Sequence, residues 1–380
     1  MASKRISIAL LTLALAAVAA TAKPEPAAAA RGMMVGIYDP VGPFANPDKT
    51  FPTLRKLRTQ VIRLNLDWGA TVAKTRPEKP LDPNDPAYDW KMYDDVVRNA
   101  AKYKIQVLFT IYGTPRWASG RRGLNRAPKR MLYLKQFATA AAKRYSGKFE
   151  DSDGKTLPAV RRWLAWNEPN NPLFLAPQWA RAGRGRYFPI AARTYARICT
   201  AVWSGVHATR QSNEVVACGA TDPRGNNAAR SRRPSIAPLT FLSALKKYGL
   251  RHFDVYAHHP YYSFPAETPS TRPKAKNVVT LGNLSDLTSL LSRLYGNKKL
   301  WLTEYGYQTR PPDRHFGVSW RNQARYLTKA YSIARRNPRV TMMLWFLLRD
   351  ERRLSGWQSG LFTAGGKKKP AYDAFRRLPH

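Results

Sequence analysis

Two cysteines in 380 residues are too few for a disulfide-framework mini-protein or a Cys-rich zinc module. Acidic residues are scarce too: 24 Asp and Glu stand against 64 Lys and Arg, 40 of them Arg, for a formal charge of +40. Such an excess attracts polyanions such as nucleic acid, anionic lipid or an acidic wall polymer. Genome base composition also enriches Arg with no functional meaning. No apolar stretch is followed by G-x-G-x-x-G and no P-loop occurs, so a dinucleotide or nucleoside-triphosphate site would lack its phosphate turn. There is no G-x-S-x-G elbow, which leaves an α/β-hydrolase without a nucleophile. Hydrophobic residues at 44% and aromatics at 12% exclude a disordered, collagen-like or simple coiled-coil chain.

What is present begins with a targeting signal. Lys4 and Arg5 precede an apolar run over residues 6–20, and Ala20-Thr21-Ala22 has small residues at both cleavage positions. Residues 1–22 therefore read as a signal peptide, cleaved after Ala22 or near Ala30. A transmembrane anchor needs ~20 apolar residues, and this run is slightly short. Residues 23–30 read as a Pro/Ala linker and residues 31–380 as one domain. The expectation is a secreted monomer with no transmembrane segment once the signal is removed. Export bears on the cysteines: Cys199 and Cys218 lie in consecutive elements and could pair in an oxidising compartment, or both could be buried free thiols.

Along the rest of the chain, β-rich apolar runs alternate with helical patterns. The runs are 33–38, 61–68, 105–112, 162–166, 214–219, 253–258, 300–303 and 340–347. The helical patterns are 50–58, 90–102, 130–146, 187–209, 239–248, 284–295, 320–337 and 370–377. Alternation of this kind implies parallel strands joined by helical crossovers, and eight such units suit an α/β fold of the (β/α)8 TIM-barrel type. In such a barrel the chemistry sits at the C-terminal ends of the strands. Those ends carry carboxylates, His, Asn and Trp, whereas the opposite ends are mostly Arg and Lys.

Glu168 follows the fourth run and Glu304 the seventh. Two facing carboxyls are what glycosidic cleavage needs, one to protonate the leaving oxygen and one to attack or stabilise the oxocarbenium-like centre. Trp163 and Trp166 beside Glu168 would help keep it protonated. Asn167, beside Glu168, could bond a sugar 2-hydroxyl. Trp68, Trp117, Trp345 and Trp357 could stack on sugar faces, with Trp345 favoured.

Trp166-Asn167-Glu168-Pro169-Asn170-Asn171-Pro172 resembles the acid/base motif of clan A glycoside hydrolases, and Leu302-Thr303-Glu304-Tyr305-Gly306 resembles their nucleophile motif. The resemblance covers most of the chain and points to families 5 and 39 and their relatives. It implies a retaining hydrolase with Glu168 as acid/base and Glu304 as nucleophile. It places Arg63 on strand two, where its charge would hold Glu304 ionised, His259 and Tyr261 beside the nucleophile, where the Tyr261 hydroxyl could donate to that carboxylate, and Trp345 as the floor of the sugar site. Lys369-Pro370-Ala371-Tyr372 resembles the start of the last helix. One departure lies at the end of strand three, where many family 5 members have His and this chain has Tyr112 and Trp117.

No metal or organic cofactor is implied. His258-His259 suggests a metal pair, but no third ligand at suitable spacing is visible. The basic clusters Arg121-Arg122, Arg161-Arg162, Arg232-Arg233, Arg352-Arg353 and Lys367-Lys368-Lys369 read as solvated surface. The expected substrate is a β-linked poly- or oligosaccharide, with an anionic cell-wall polymer as a further partner and no specific nucleic acid. The competing reading is a non-catalytic carbohydrate- or wall-binding protein on the same fold.

Overall fold

The computed structural model describes residues 32–380, so the expected signal peptide and the linker lie outside the described residues. Eight parallel strands close into a barrel in sequence order: β1 (Met34–Tyr38), β2 (Val61–Asp67), β3 (Gln106–Tyr112), β4 (Arg162–Ala165), β5 (Val215–Thr221), β6 (Val255–His258), β7 (Lys299–Tyr305) and β8 (Val340–Phe346), which pairs back onto β1. Around them run α1 (Pro47–Lys56), α2 (Lys91–Lys102), α3 (Met131–Arg144), α4 (Ile190–His207), α5 (Pro238–Lys247), α6 (Leu284–Tyr295), α7 (Trp320–Arg335) and α8 (Pro370–Arg376). This is the (β/α)8 barrel that the alternating pattern predicts.

The helices form because their apolar residues fall on one stripe. In α2, Tyr93, Val96, Val97 and Ala100 are buried at helical spacing and face the strands. Each such side chain contributes roughly 1.5–3 kcal/mol when fully buried. Proline opens α1, where its missing N–H costs nothing, and the Ser319 hydroxyl caps α7 by accepting from the Asn322 N–H. The predicted helix over 187–209 starts late, at Ile190. Tyr187 and Phe188 instead pair with Ala180 and Arg181 in a short antiparallel hairpin, and Pro189 separates the hairpin from the helix.

Two apolar layers result from strand alternation. The larger lies between barrel and helices. The smaller fills the barrel interior and includes Val61, Leu108, Leu164, Ala217, Ala257, Trp301, Met342 and Leu344. Space there is tight: a Cβ on Gly36 would meet the Val61 carbonyl oxygen at 2.2 Å. Higher up β2, on the face of Val61, come Arg63 and Asn65, so the interior turns from apolar to polar toward the C-terminal mouth.

Cys199 on α4 and Cys218 on β5 form a disulfide with Cα atoms 5.9 Å apart. Of the basic clusters read as solvated, Lys369 departs. It is buried, and its Nζ donates to Asp350 Oδ1 at 2.8 Å, Thr309 Oγ1 at 2.8 Å and the Gln358 carbonyl at 3.1 Å. That knot ties the loops after β7 and β8 to the start of α8. No described helix is long and apolar enough to cross a membrane.

Candidate active site

The tip of β4 breaks its own alternation. Trp166 has φ 68° and Glu168 has φ 36°, left-handed values that side chains other than glycine rarely adopt. Such residues cost of order 1–3 kcal/mol each and cluster where function imposes a geometry. The kink sends the Trp166 indole outward to the Phe174 carbonyl and turns Asn167 and Glu168 into the barrel mouth. Glu304 gets there differently. The β7–β8 pairing slips between Leu302↔Met343 and Tyr305↔Trp345, so Thr303 and Glu304 oppose the single residue Leu344. Bulges of this kind re-aim side chains.

The two carboxylates meet around Arg63 and His259. Arg63 Nη1 donates to Glu304 Oε1 at 2.6 Å and Nη2 to Asn167 Oδ1 at 2.7 Å, while Nε donates to Thr110 Oγ1 at 2.8 Å. The guanidinium also lies 4.4 Å from the centre of the Tyr38 ring. Tyr261 donates its hydroxyl to Glu304 Oε2 at 2.9 Å, so both oxygens of Glu304 are held. Because Arg63 fixes the Asn167 carbonyl, the Asn167 amide nitrogen is left for the cavity.

His259 stands between the acids, with Nδ1 2.9 Å from Glu168 Oε1 and Nε2 3.0 Å from Thr303 Oγ1 and 3.3 Å from Arg63 Nη1. Arg can only donate, so Nε2 is the accepting nitrogen and the proton sits on Nδ1, facing Glu168. Burial pushes His259 down to about 3, so the ring is neutral near pH 7. One oxygen from each Glu and a His259 ring nitrogen lie within 4.8 Å of one another. The Arg63 guanidinium already supplies the positive charge at that centre. His258 turns away, with Nδ1 on Thr221 Oγ1 and Nε2 on the Val279 carbonyl.

Burial raises the Glu168 carboxyl from 4.5 to about 7, against the opposing pull of Arg63 and an Asn171 hydrogen bond. Asn171 Nδ2 bridges Glu168 Oε2 at 3.2 Å and Asp222 Oδ2 at 3.1 Å. Asp222 is itself pushed up to about 7, first by burial and then by the charge of Glu168.

Above these groups opens a cavity of about 800 Å³, whose lining includes Tyr38, Asn65, Tyr112, Asp222, Tyr261, Phe346 and Trp357. Of the residues expected here, Glu168, Glu304, Asn167, Arg63, His259 and Tyr261 come together. Three tryptophans do not. Trp345 is fully buried with its Nε1 on the Ser359 carbonyl, on the helix-facing side of β8. Alternation gives the inward side to Met342, Leu344 and Phe346, so Phe346 faces the cavity instead. Trp68 stacks on Phe137, and Trp117 donates to the Ala73 carbonyl; both line a separate pocket of about 170 Å³. Trp357, 40% exposed, is the tryptophan of the main cavity, packed between Tyr261 and Phe346. Trp163 is buried in the helix-facing core beside Phe109, so the desolvation of Glu168 comes from its depth in the mouth.

Asp222, Asn171, Phe346 and the Arg loop after β5 are absent from the sequence-derived set. Asp222 had a signal: it directly follows β5. That strand reads in sequence as ending at Gly219, while it runs on to Thr221.

No protein-family model matches this chain, and no curated protein matches it. Solved structures do. A family 39 glycoside hydrolase from the gut symbiont Bacteroides cellulosilyticus WH2 aligns with TM-score 0.60 and 19% identity, over 91% of this chain and 63% of that one. A GH39 β-xylosidase from Caulobacter crescentus aligns with TM-score 0.58 and 17% identity, over 93% and 72%. A GH5_18 enzyme from Streptomyces cattleya aligns with TM-score 0.56 and 17% identity, over 92% and 80%. The chain thus spans less than two thirds of the length of the family 39 enzyme from the gut symbiont. At these identities the likeness shows the fold: a (β/α)8 barrel of the architecture found in clan A glycoside hydrolases.

Proposed function

We propose that this protein is an exported glycoside hydrolase that cleaves β-linked poly- or oligosaccharides by double displacement. The observation that carries the proposal is the carboxylate pair. Glu168 and Glu304 end opposite strands, with oxygens within 4.8 Å across a sugar-sized cavity, one carboxyl raised to about 7 and the other ion-paired with Arg63. An approach this close of one oxygen from each carboxyl favours the retaining arrangement, in which the groups stand ~5–5.5 Å apart, over the inverting one at ~6.5–9.5 Å. The solved neighbours are named as glycoside hydrolases, among them a β-xylosidase and β-1,4-galactanases, and this supports the β linkage.

In the first step a Glu304 oxygen attacks the anomeric carbon. The C–O bond to the leaving group breaks, and Glu168 passes its proton to that oxygen. Arg63 and Tyr261 orient Glu304, and the Asn167 amide donates to a hydroxyl of the bound ring. In the second step Glu168, now ionised, takes a proton from water, whose oxygen displaces Glu304 and leaves the configuration unchanged. The signal sequence and the disulfide support export, since disulfides persist in oxidising compartments. The charge of +40 supports electrostatic retention on an anionic wall polymer.

The test is kinetic. On an aryl β-glycoside whose leaving group needs no proton, Glu304→Ala should abolish turnover. Glu168→Ala should stall at the glycosyl-enzyme and recover when azide replaces water, giving a β-glycosyl azide. Full activity in both variants would remove Glu168 and Glu304 from the chemistry, whereas sugar binding with no turnover by the wild type would leave the rival reading, a sugar-binding barrel without catalysis.

A further inference from the structure

The loop that joins β5 to α5 carries Arg224, Arg232 and Arg233 into the lining of the main cavity. Its position is built. Asn170, fully buried and two residues beyond Glu168, donates to the carbonyls of Asp222, Arg224 and Ile236, and its own Oδ1 accepts from the Asp222 N–H. Asn226 closes the loop on itself through the Ser231 hydroxyl and the Arg233 carbonyl. The segment that supplies the raised carboxyl thus also holds the arginine wall.

Arg232 and Arg233 are exposed to solvent at the cavity wall, and their charges have no protein partner. Among the described residues neither the Arg232 nor the Arg233 guanidinium has an ion-pair or hydrogen-bonding partner. Arg224 reaches Asp222 only at 3.9 Å. Of the four acids in the lining, Glu304 is held by Arg63 and Tyr261, Glu168 and Asp222 share Asn171, and Glu351 forms no ion pair with Arg232 or Arg233. Adjacent guanidinium groups repel, and a neutral glycan would offer nothing to offset that. A planar guanidinium matches a carboxylate bidentately.

We propose that the cleft takes a glycan bearing uronate carboxylates, with Arg232 and Arg233 as the residues that bind the carboxylate. This rests on the glycoside hydrolase reading and names its substrate class. It differs from general tethering by charge, because it assigns the anion to two arginines that line the cleft.

The experiment measures binding in a Glu304→Gln background, which prevents cleavage, at ~150 mM salt to screen distant charges. The probes are glucuronoxylan, polygalacturonate and hyaluronan, each paired with its carboxyl-reduced form. At least one unreduced polymer should bind more tightly than its reduced partner. Arg232→Ala/Arg233→Ala should weaken that binding by about tenfold or more, the scale of one charged hydrogen bond. The control, Lys247→Ala/Arg293→Ala, removes two charges from the last turns of α5 and α6, at the far end of the barrel, and should change it little. Equal losses in the two double variants, or no preference for any unreduced polymer, would overturn the proposal. Turnover of neutral aryl glycosides by the wild-type protein reports separately on the hydrolase reading, so the two can fail independently.

Discussion

Replacing Glu168 by Gln removes a charge from a place that disfavours it. Burial raises this carboxyl from 4.5 to about 7, so the folded chain holds a proton that the unfolded chain has already lost between those pH values. Where the native state binds more protons, stability falls as pH rises, and here it falls across the window from 4.5 to about 7. A shift of that size corresponds to about 3 kcal/mol once both states are ionised. Gln is neutral throughout and close in shape to the protonated acid. Glu168→Gln should therefore match the wild type near pH 4.5 and exceed it by up to about 3 kcal/mol at pH 8, several degrees in Tm. Relief of the neighbouring Asp222 adds in the same direction. Thermal or urea unfolding of both proteins at pH 4.5, 6 and 8 would measure this. A stability difference that does not change with pH, or a wild type that gains on the variant as pH rises, would refute the argument. The same substitution should nearly abolish cleavage of substrates with poor leaving groups, since the strain is the cost of an acid that keeps its proton near neutrality.

Asp222→Asn should move the alkaline limb of kcat/KM to lower pH, because the repulsion across Asn171 is mutual and its loss lets Glu168 ionise earlier; an unmoved limb would mean the two carboxyls are independent. Arg63→Lys should lower kcat by about 100-fold or more on every glycoside, since a lysine cannot bond Thr110, Asn167 and Glu304 together; a change confined to KM would contradict that role. The two tryptophans of the β8 region should part company. Trp345→Ala should cost about 3–5 kcal/mol of stability as a core cavity. Trp357→Ala should leave stability nearly intact and raise KM for polysaccharide, and the reverse pattern would restore Trp345 as the sugar-facing ring.

The strands, their order and the acidic pair were legible in the sequence because each rests on local information. Alternating apolar runs and helical stripes are written into consecutive residues, and a parallel barrel leaves the strand ends on one rim. Glu168 and Glu304 could be placed on that rim by counting strands alone. Alternation could also have assigned Phe346 to the interior, since it shares a face with Met342 and Leu344. What only the tertiary structure decided is the set of neighbours across the mouth. His259 reaching Glu168, Asn171 reaching Asp222, and Asn170 bracing an arginine loop are contacts between residues 51 to 91 positions apart. Such contacts depend on the left-handed turn at the end of β4 and the bulge in β7, where the regular period that a sequence can announce is broken. The fate of the charges follows the same division. Composition set the excess of arginine, but barrel closure and loop anchoring determined that Arg232 and Arg233 stand in the cleft while Lys369 is buried against Asp350.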